Sequence, residues 1–410
     1  MKKPRPITLR RQMQDETAMR PRYKRGRDKK LKLNTSALQT RTSWISWLFL
    51  SWLLLFFSGC MKDDSIYNFQ RLDADEKGKA VFIVNEGNFM YGNASLTYYN
   101  PDSNKVLNDI FYQTNALPLG DVANSMRIMD SLGFIVINNS GKIYVMNVNT
   151  FRYTGKITGL VSPRNIYILS RTKAYVTDLY AKKIYIVNPT TLQITGSISI
   201  DNHNPQFYQH SSEQMVFWGK YAFVNSWSYD DKILVINLLD DKLVDSIQVV
   251  KQPNSMVLDA RQRLWVLSDG GFRGSGYGQD TAALTCINPE TRKIEKVFRF
   301  TDLAASPTRL CCNKAGDTLY FLYNSLSGGI VNHAGVYAFP VNASRLPDVP
   351  LISQGNHQFY GLGIRPENGN IYVSDARDYM SRGEVYIYSP RGQLLDSLQA
   401  GIIPGSFCFK

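Results

Sequence analysis

A stretch of the chain at residues 174–200, AYVTDLYAKKIYIVNPTTLQITGSISI, recurs in altered form along most of the sequence. It contains three short apolar or alternating runs separated by turn residues, a pattern typical of β-strands rather than of a helix. Seven versions of its first run occur, and their central residues lie 40 to 55 positions apart, which indicates a repeat architecture. The seven runs are FIVNE at Phe82, FIVIN at Phe134, AYVTD at Ala174, AFVNS at Ala222, LWVLS at Leu264, LYFLY at Leu319 and IYVSD at Ile371.

A fourth short strand is predicted before several of these runs, where a proline and a polar residue open the segments SPRNIYIL, QPNSMVLD and SPTRLCCN. Four antiparallel strands in roughly 40 to 50 residues are the pattern of a β-propeller blade. The final segment, IIPGSFCFK, resembles such an opening strand with no blade after it, and the first run has no opening strand before it. The sequence therefore predicts an all-β fold, a single seven-bladed β-propeller over residues 80–410, with residues 404–410 completing the first blade.

The positive charge of the chain is concentrated before the propeller. The formal net charge is +13, but residues 1–59 alone hold 14 Lys and Arg against three acidic residues. The remainder, from Cys60 onward, has a net charge of only +2. Nucleic-acid binding requires a basic face that neutralises phosphates, so the sequence predicts no nucleic-acid partner.

Residues 1–59 are predicted to be a lipoprotein signal peptide with a long basic start. The apolar run at residues 44–57 would form a helix about 21 Å long, which is short for a membrane span and suits a signal-peptide core. The residues that follow, Phe57-Ser58-Gly59-Cys60, resemble the lipobox of bacterial lipoproteins, although Phe57 replaces the usual Leu. The resemblance implies that Cys60 is lipidated and becomes the new N-terminus. The alternative is an uncleaved anchor helix with an incidental cysteine.

Residues 60–79 are predicted to be the lipidated cysteine and a flexible tether, because they are polar and show no periodicity. Directly after Cys60, the residues Met61-Lys62-Asp63-Asp64 resemble the export signal of surface lipoproteins of Bacteroidota. This implies a lipid-anchored protein of the outer membrane that faces the cell exterior. A merely solvated linker is the alternative interpretation.

The residues that commonly carry catalysis or metals form no recognised signature, so the sequence predicts no catalytic residue, no metal and no cofactor. No cysteine pair has metal-ligand spacing, which favours buried apolar roles for Cys286, Cys311, Cys312 and Cys408. Two alternatives stay open: a metal held by His203 and His210, and Ca²⁺ binding or base chemistry at aspartates that equally suit turn capping. These aspartates are Asp121, Asp178, Asp231, Asp269 and Asp375.

The predicted binding surface is the propeller face on which two sets of loops meet: those between the second and third strands of each blade, and those that link neighbouring blades. These loops hold many aromatic residues interleaved with Gly, Asn and Arg, a composition typical of a binding surface. The alternative is that several of the aromatic rings cover the rim of the core, which would still leave enough of them for a site. Arginine adds bidentate contacts to carboxylate, phosphate or amide oxygens. The predicted ligand-binding residues are Phe89, Tyr91, Tyr180, Trp227, Tyr229, Phe272, Arg273, Tyr277, Phe359, Tyr360, Arg377 and Tyr379.

The repeat unit resembles that of the YncE or YVTN propeller family from about Ala80 to the end of the chain. A closer likeness begins with Val84-Asn85-Glu86-Gly87-Asn88 and continues with the segments NASL at Asn93 and LGDV at Leu119. It is similar to the surface cobalamin-binding lipoproteins of Bacteroidota of the BtuG kind. That resemblance implies a corrinoid ligand on the propeller face and a TonB-dependent outer-membrane receptor as partner.

Together with this resemblance, the sequence predicts a non-enzymatic surface lipoprotein that captures a scarce nutrient; the resemblance implies that the nutrient is cobalamin or another corrinoid and that it is passed to a TonB-dependent transporter. Other chelates, such as a ferric siderophore or haem, suit the arginines of the same loops. An adhesion or scaffold propeller and a propeller lyase or lactonase are the remaining alternatives, because one propeller fold serves many functions.

Overall fold

The computed structural model describes residues 79–203, 210–272, 274–324 and 333–410. The predicted signal peptide and the lipidation site at Cys60 lie outside these residues. The described chain forms seven four-stranded antiparallel sheets whose neighbours in sequence pack against one another around a ring. The predicted seven-bladed β-propeller is confirmed.

Blade one contains the first three strands of the chain, and its innermost strand comes from the C-terminal end of the propeller. Blades two to four each run from the innermost strand to the outermost in sequence order. The strands of blades one to four are β1 (Val81–Asn85), β2 (Ser95–Asn100) and β3 (Lys105–Leu107); β4 (Ala123–Met129), β5 (Leu132–Ile137), β6 (Lys142–Asn147) and β7 (Tyr153–Ile157); β8 (Pro163–Ile168), β9 (Ala174–Asp178), β10 (Lys183–Asn188) and β11 (Gln193–Ser199); β12 (Met215–Trp218), β13 (Tyr221–Asn225), β14 (Lys232–Asn237) and β15 (Lys242–Gln248).

Blades five to seven follow the same order, and the last strand returns to blade one. Their strands are β16 (Pro253–Leu258), β17 (Leu264–Ser268), β18 (Ala283–Asn288) and β19 (Lys293–Arg299); β20 (Thr308–Cys312), β21 (Thr318–Tyr323), β22 (Gly335–Pro340) and β23 (Ile352–Ser353); β24 (Phe359–Ile364), β25 (Ile371–Asp375), β26 (Arg382–Tyr388) and β27 (Leu394–Ile402); and β28 (Pro404–Phe409).

A short helix, α1 (Ile110–Asn115), lies in the segment between β3 and β4, where the sequence predicted only a loop. Ile110 and Phe111 are fully buried there and pack into the layer between blades one and two. In the part of the chain that the structure describes, no helix has the length and apolar character needed to span a membrane.

The ring closes through β28, which pairs antiparallel with β1 and so becomes the innermost strand of blade one. Phe409 lies opposite Val81, Ser406 lies opposite Val84, and the Lys410 amide donates to the Ala80 carbonyl at 2.8 Å. The pairing removes the exposed edge that β1 would otherwise present to solvent. The predicted closure by the C-terminal strand is confirmed.

The hydrophobic core consists of seven layers among the described residues, one between each pair of neighbouring blades. Each blade is therefore covered on both sides, and this explains why second strands such as β1, β9 and β25 are buried along their whole length. The outermost strands, such as β19, are mostly exposed. Burial of apolar surface stabilises these layers by about 25 cal/mol for each Å² removed from water.

A second set of contacts joins the blades around the central channel, where polar groups of each blade hydrogen-bond to the next blade. Every neighbouring pair of blades has such a link, so that the links form a closed ring. The linked residues are Asn124 and Arg164, Asn165 and Glu213, Gln214 and Met256, Asn254 and Pro307, Arg309 and Tyr360, Ser374 and Pro404, and Ser406 and Asn124.

Buried aspartates at the ends of second strands hold the loops of the predicted binding face in place. The Asp178 carboxylate is fully buried and accepts four backbone N–H bonds of 2.8 to 3.1 Å, two from the loop before β8 and two from the loop after β9. Asp375 accepts the amides of Gln358 and Arg377 at 2.9 and 2.8 Å. Of the two roles left open for these aspartates, the geometry of Asp178 and Asp375 matches turn capping.

Replacing Asp178 with Ala should lower the urea midpoint of unfolding, followed by tryptophan fluorescence. The substitution leaves four backbone N–H groups without their acceptor, at an expected cost of about 3 kcal/mol or more, because each bond to a charged group contributes roughly 1.5 to 3 kcal/mol. Asp130→Ala is the control, since Asp130 and its partner Arg171 are both largely exposed. Equal midpoints for the two variants would contradict the capping role.

Candidate ligand-binding face and channel mouth

The two predicted sets of loops lie on one face of the propeller and hydrogen-bond to each other. The Ser212 amide donates to the Asp178 carbonyl at 3.2 Å, and the Gln252 amide donates to the Asp230 carbonyl at 2.7 Å. The corresponding bond in blade seven joins Ala376 to Gln358 at 2.9 Å. Most of the predicted ligand-binding residues that the structure describes therefore lie in a connected layer of loops, whereas Phe359 and Tyr360 are the first residues of β24.

An aromatic pocket lies between the loops of blades four and five. The rings of Tyr229 and Tyr277 are 5.0 Å apart, and the Phe272 ring lies 6.3 Å from Tyr229, so three predicted residues come together. Tyr229 and Tyr277 border a cavity of about 120 Å³. Residues that line the cavity are Tyr229, Asp230, Asp231, Lys251, Gln252, Gly271, Tyr277 and Gly278.

Charged groups sit beside these rings. The Lys251 ammonium donates to the Tyr277 carbonyl, and the Asp230 carboxylate contacts Nδ1 of His210 at 2.6 Å. Burial, followed by the charge of Asp230, raises the pKa of Tyr277, so its hydroxyl stays neutral at physiological pH. Nearby, the indole of Trp227 donates to Asp269 at 3.3 Å. The pocket thus offers aromatic surface with hydrogen-bonding groups at its border.

The mouth of the central channel holds a second group of side chains, which we call the channel mouth: Glu86, Arg164, Glu213, Arg309 and Tyr360. Arg164 binds Glu213 through two hydrogen bonds of 2.7 and 2.9 Å. The Glu86 carboxylate accepts the Tyr360 hydroxyl at 2.7 Å and Arg309 at 3.3 Å. The Arg309 guanidinium also lies over the Tyr360 ring, 5.2 Å from its centre. Five blades contribute to this group.

Backbone bulges direct several of these side chains. In six blades, the pairing of the innermost strand with the second strand shifts register near the start of the innermost strand. Arg164, Arg309 and Tyr360 stand within these shifts. A bulge adds a residue to one strand and re-aims its side chain, which is why bulges are common beside functional sites.

The channel mouth is electrostatically coupled. Burial opposes the charge of Arg164, but Glu213, and more weakly Glu86 and Tyr360, raise the pKa of its guanidinium. Burial and the charge of Glu86 raise the pKa of Tyr360 far above its ordinary value, so its hydroxyl remains a donor. The two arginines and two glutamates balance in charge.

The remaining predicted residues have varied positions. Tyr379 packs edge-on against Tyr360 with ring centres 6.1 Å apart. Burial raises the pKa of Tyr180, while the charge of Arg164 opposes this shift and that of Glu213 adds to it. Arg377 is paired with Glu384 on the exposed rim. Phe89 is half-buried, and Tyr91 is 70% exposed in the same loop. Arg273 lies outside the described residues.

Phe359 was predicted to contact the ligand, but the structure places it in the core. Its side chain is only 3% exposed and packs in the core layer between blades six and seven, with its ring stacked on His357 at 5.8 Å. It supports the fold rather than facing a ligand, whereas its neighbour Tyr360 points into the channel mouth.

The sequence reasoning missed four residues of the channel mouth: Glu86, Arg164, Glu213 and Arg309. A signal was present, because Arg164 directly follows Pro163, the first residue of β8, and Arg309 lies two residues after Pro307, which directly precedes β20. A polar residue near the start of an innermost strand faces the channel when the strand bulges there. The ion pairs, in contrast, join residues as far apart in the chain as Glu86 and Arg309, so they cannot be recognised from the local sequence.

The four described cysteines carry no disulfide; Cys286 and Cys408 are buried as predicted, whereas Cys311 and Cys312 are only partly buried. Burial raises the pKa of Cys286 and Cys408 to about 11, so both stay as thiols. Within the described ranges, no group of three or more His, Cys, Asp and Glu side chains is placed to hold a metal ion. His203 and His210 flank residues outside those ranges, and the metal site suggested for them is not tested.

The family model of a domain of unknown function, DUF5074, matches residues 79–394, which is most of the chain. The chain belongs to the DUF5074 family. No curated protein matches the DUF5074 chain in sequence.

Solved structures resemble the DUF5074 chain in fold. A periplasmic gluconolactonase of Pseudomonas aeruginosa has a TM-score of 0.58 at 11% identity, covering 80% of this chain and 99% of that one. A quinonprotein alcohol dehydrogenase-like protein of Bacteroides thetaiotaomicron has a TM-score of 0.57 at 15% identity, covering 81% and 78%. A putative 6-phosphogluconolactonase of Bacteroides fragilis has a TM-score of 0.56 at 12% identity, covering 82% and 99%. At such identities the likeness shows the fold alone.

Gly405→Ala should disturb the channel mouth, because a Cβ at this position would lie 2.3 Å from Oε1 of Glu86. We expect the displaced carboxylate to lose Tyr360 and Arg309, and the urea midpoint to fall by the equivalent of about 1 to 3 kcal/mol, as for other overpacked sites. Gly276→Ala is the matched control, since no described neighbouring atom lies within 4 Å of its Cβ. Unchanged stability of Gly405→Ala would show that Glu86 moves freely.

Proposed function

We propose that the DUF5074 propeller is a non-enzymatic capture domain of a lipid-anchored outer-membrane protein. It binds a corrinoid such as cobalamin on its loop face and passes the ligand to a TonB-dependent transporter. The observation that carries this proposal is the aromatic pocket of Tyr229, Phe272 and Tyr277, which stands on the same face as the polar channel mouth.

The arrangement suits a large ligand with an apolar rim and polar arms. The cavity of about 120 Å³ is smaller than the roughly 300 to 1,000 Å³ of pockets that enclose a drug-sized molecule. It therefore holds only part of the ligand, and the remainder lies across the neighbouring loops. Tyr and Trp offer rigid amphipathic contact area for such a surface at low entropic cost.

The environments of four carboxylates on this face favour binding over catalysis. Asp178 and Asp375 use their carboxylates to hold backbone amides. In the channel mouth, Glu86 and Glu213 are paired with arginines. A general base needs an available carboxylate or imidazole at hydrogen-bonding distance from a substrate proton. These four carboxylates are engaged in structural roles instead.

The proposal predicts one-to-one binding of cyanocobalamin to the full-length chain purified in detergent, measured by isothermal titration calorimetry. Tyr277→Ala and Tyr229→Ala should each weaken the affinity about tenfold or more, because truncating a buried aromatic anchor removes at least about 1.4 kcal/mol. Tyr153→Ala, on the outer strand β7, is the matched control and should bind like the wild type.

Ferric enterobactin serves as the comparison ligand in the same titration. Binding of the ferric chelate without binding of cyanocobalamin would transfer the proposal to iron capture. Equal affinities of wild type and both pocket variants for cyanocobalamin would locate the ligand elsewhere. No detectable binding heat with either ligand would rule out both proposed ligand classes.

The lipid anchor is tested separately. Cys60→Ala removes the thiol to which a diacylglycerol group would attach, so we expect loss of radiolabelled palmitate incorporation and release of the protein from the membrane fraction. Cys408→Ala is the control, because this cysteine is buried in the propeller. Persistent labelling of Cys60→Ala would refute the lipoprotein assignment without affecting the ligand proposal.

A further inference from the structure

We infer that the channel mouth selects an uncharged group that both donates and accepts hydrogen bonds, a primary amide above all, and rejects carboxylates and phosphates. The inference rests on the proposed capture function and specifies which chemistry of the ligand is recognised at the centre of the face. It comes from the charge balance of Glu86, Arg164, Glu213 and Arg309.

The two arginines of the channel mouth are each held by one glutamate. Nε and Nη2 of Arg164 donate hydrogen bonds to Glu213. Nη2 of Arg309 donates to Glu86, and its Nε donates to the Tyr360 carbonyl. The side chains of Arg164, Glu213 and Glu86 are 16%, 12% and 8% exposed. These groups are largely removed from water, so their charges are weakly screened.

Each guanidinium keeps one nitrogen for a ligand. Among the described residues, no hydrogen bond is found to Nη1 of either Arg164 or Arg309, whose bonds use Nε and Nη2. Arg309 is also one-third exposed, which leaves it accessible from the face. The carboxylates of Glu86 and Glu213 retain lone pairs beyond those used by their partners. Donors and acceptors thus stand side by side.

A carboxylate or phosphate placed here would gain the arginine donors but would also meet two glutamates whose charges already cancel those of the arginines. Like charges at short distance and low exposure repel strongly, and such repulsion is an effective means of rejecting a competitor. A cation meets the opposite conflict with the arginines. A primary amide donates through its NH₂ group and accepts through its carbonyl, so it uses both kinds of partner at no cost in charge.

The test compares cyanocobalamin with its purified monocarboxylic acids, in which one peripheral amide is hydrolysed to a carboxylate. The full-length chain in detergent is titrated with each ligand by calorimetry at pH 7. We expect at least one monoacid to bind ten times more weakly than cyanocobalamin, because one amide arm enters the channel mouth.

Charge variants give the discriminating result. Glu86→Gln combined with Glu213→Gln makes the mouth positive, so the preference for the amide over that monoacid should shrink to less than threefold or reverse. Arg309→Gln makes the mouth negative and should increase the preference, which gives an opposite change in a second variant should the first fail to fold. Glu290→Gln, whose exposed glutamate lies in the turn between β18 and β19, is the matched control and should keep the tenfold preference.

The outcomes separate the two proposals. Equal binding of cyanocobalamin and all its monoacids by the wild type overturns the inference and leaves capture intact. A preference that does not change in folded charge variants, with melting curves like the wild type, also overturns it. Absence of binding by any corrinoid to the wild type overturns the proposed function together with this inference.

Discussion

The pairing of β28 with β1 is the contact on which the rest of the molecule depends. It joins the two ends of the propeller, supplies the innermost strand of blade one and completes the cycle of polar links around the channel. Without it, blade one would expose an edge, and two of the seven links would be missing. Because each core layer is shared by two neighbouring blades, an open ring would also expose one layer to water.

The channel mouth shows how this closure makes a site. Glu86 belongs to blade one, while its partners Arg309 and Tyr360 belong to blades six and seven, at the other end of the repeat. The three side chains meet only because the ring closes between blades seven and one. The link from Arg309 to the Tyr360 backbone belongs to the same cycle that ties the blades together. The site and the closure are therefore stabilised by shared contacts.

The sequence predicted the fold well because its determinants are local and repeated. Seven apolar runs at regular spacing, turn residues between them and an orphan strand at the end specify blades and their closure. The site was only partly predictable. Phe359 and Tyr360 are the first two residues of β24, yet one is buried in the core and the other faces the channel. Strict alternation would direct the two side chains into the core layers on opposite sides of the blade. A bulge instead turns Tyr360 towards the channel, and bulges are not visible in a pattern of residue types.

The two parts of the face do different physical work in the proposed capture of a ligand. The aromatic pocket offers apolar area, whose burial is non-directional and stabilises any ligand with a matching surface. The channel mouth adds little net attraction, since its arginines and glutamates are already paired and a ligand must replace water there. Its contribution is the penalty imposed on a wrongly charged group. Affinity then comes mainly from the rim of blades four and five, and selectivity from the centre, where closure of the ring fixes the positions of opposite charges.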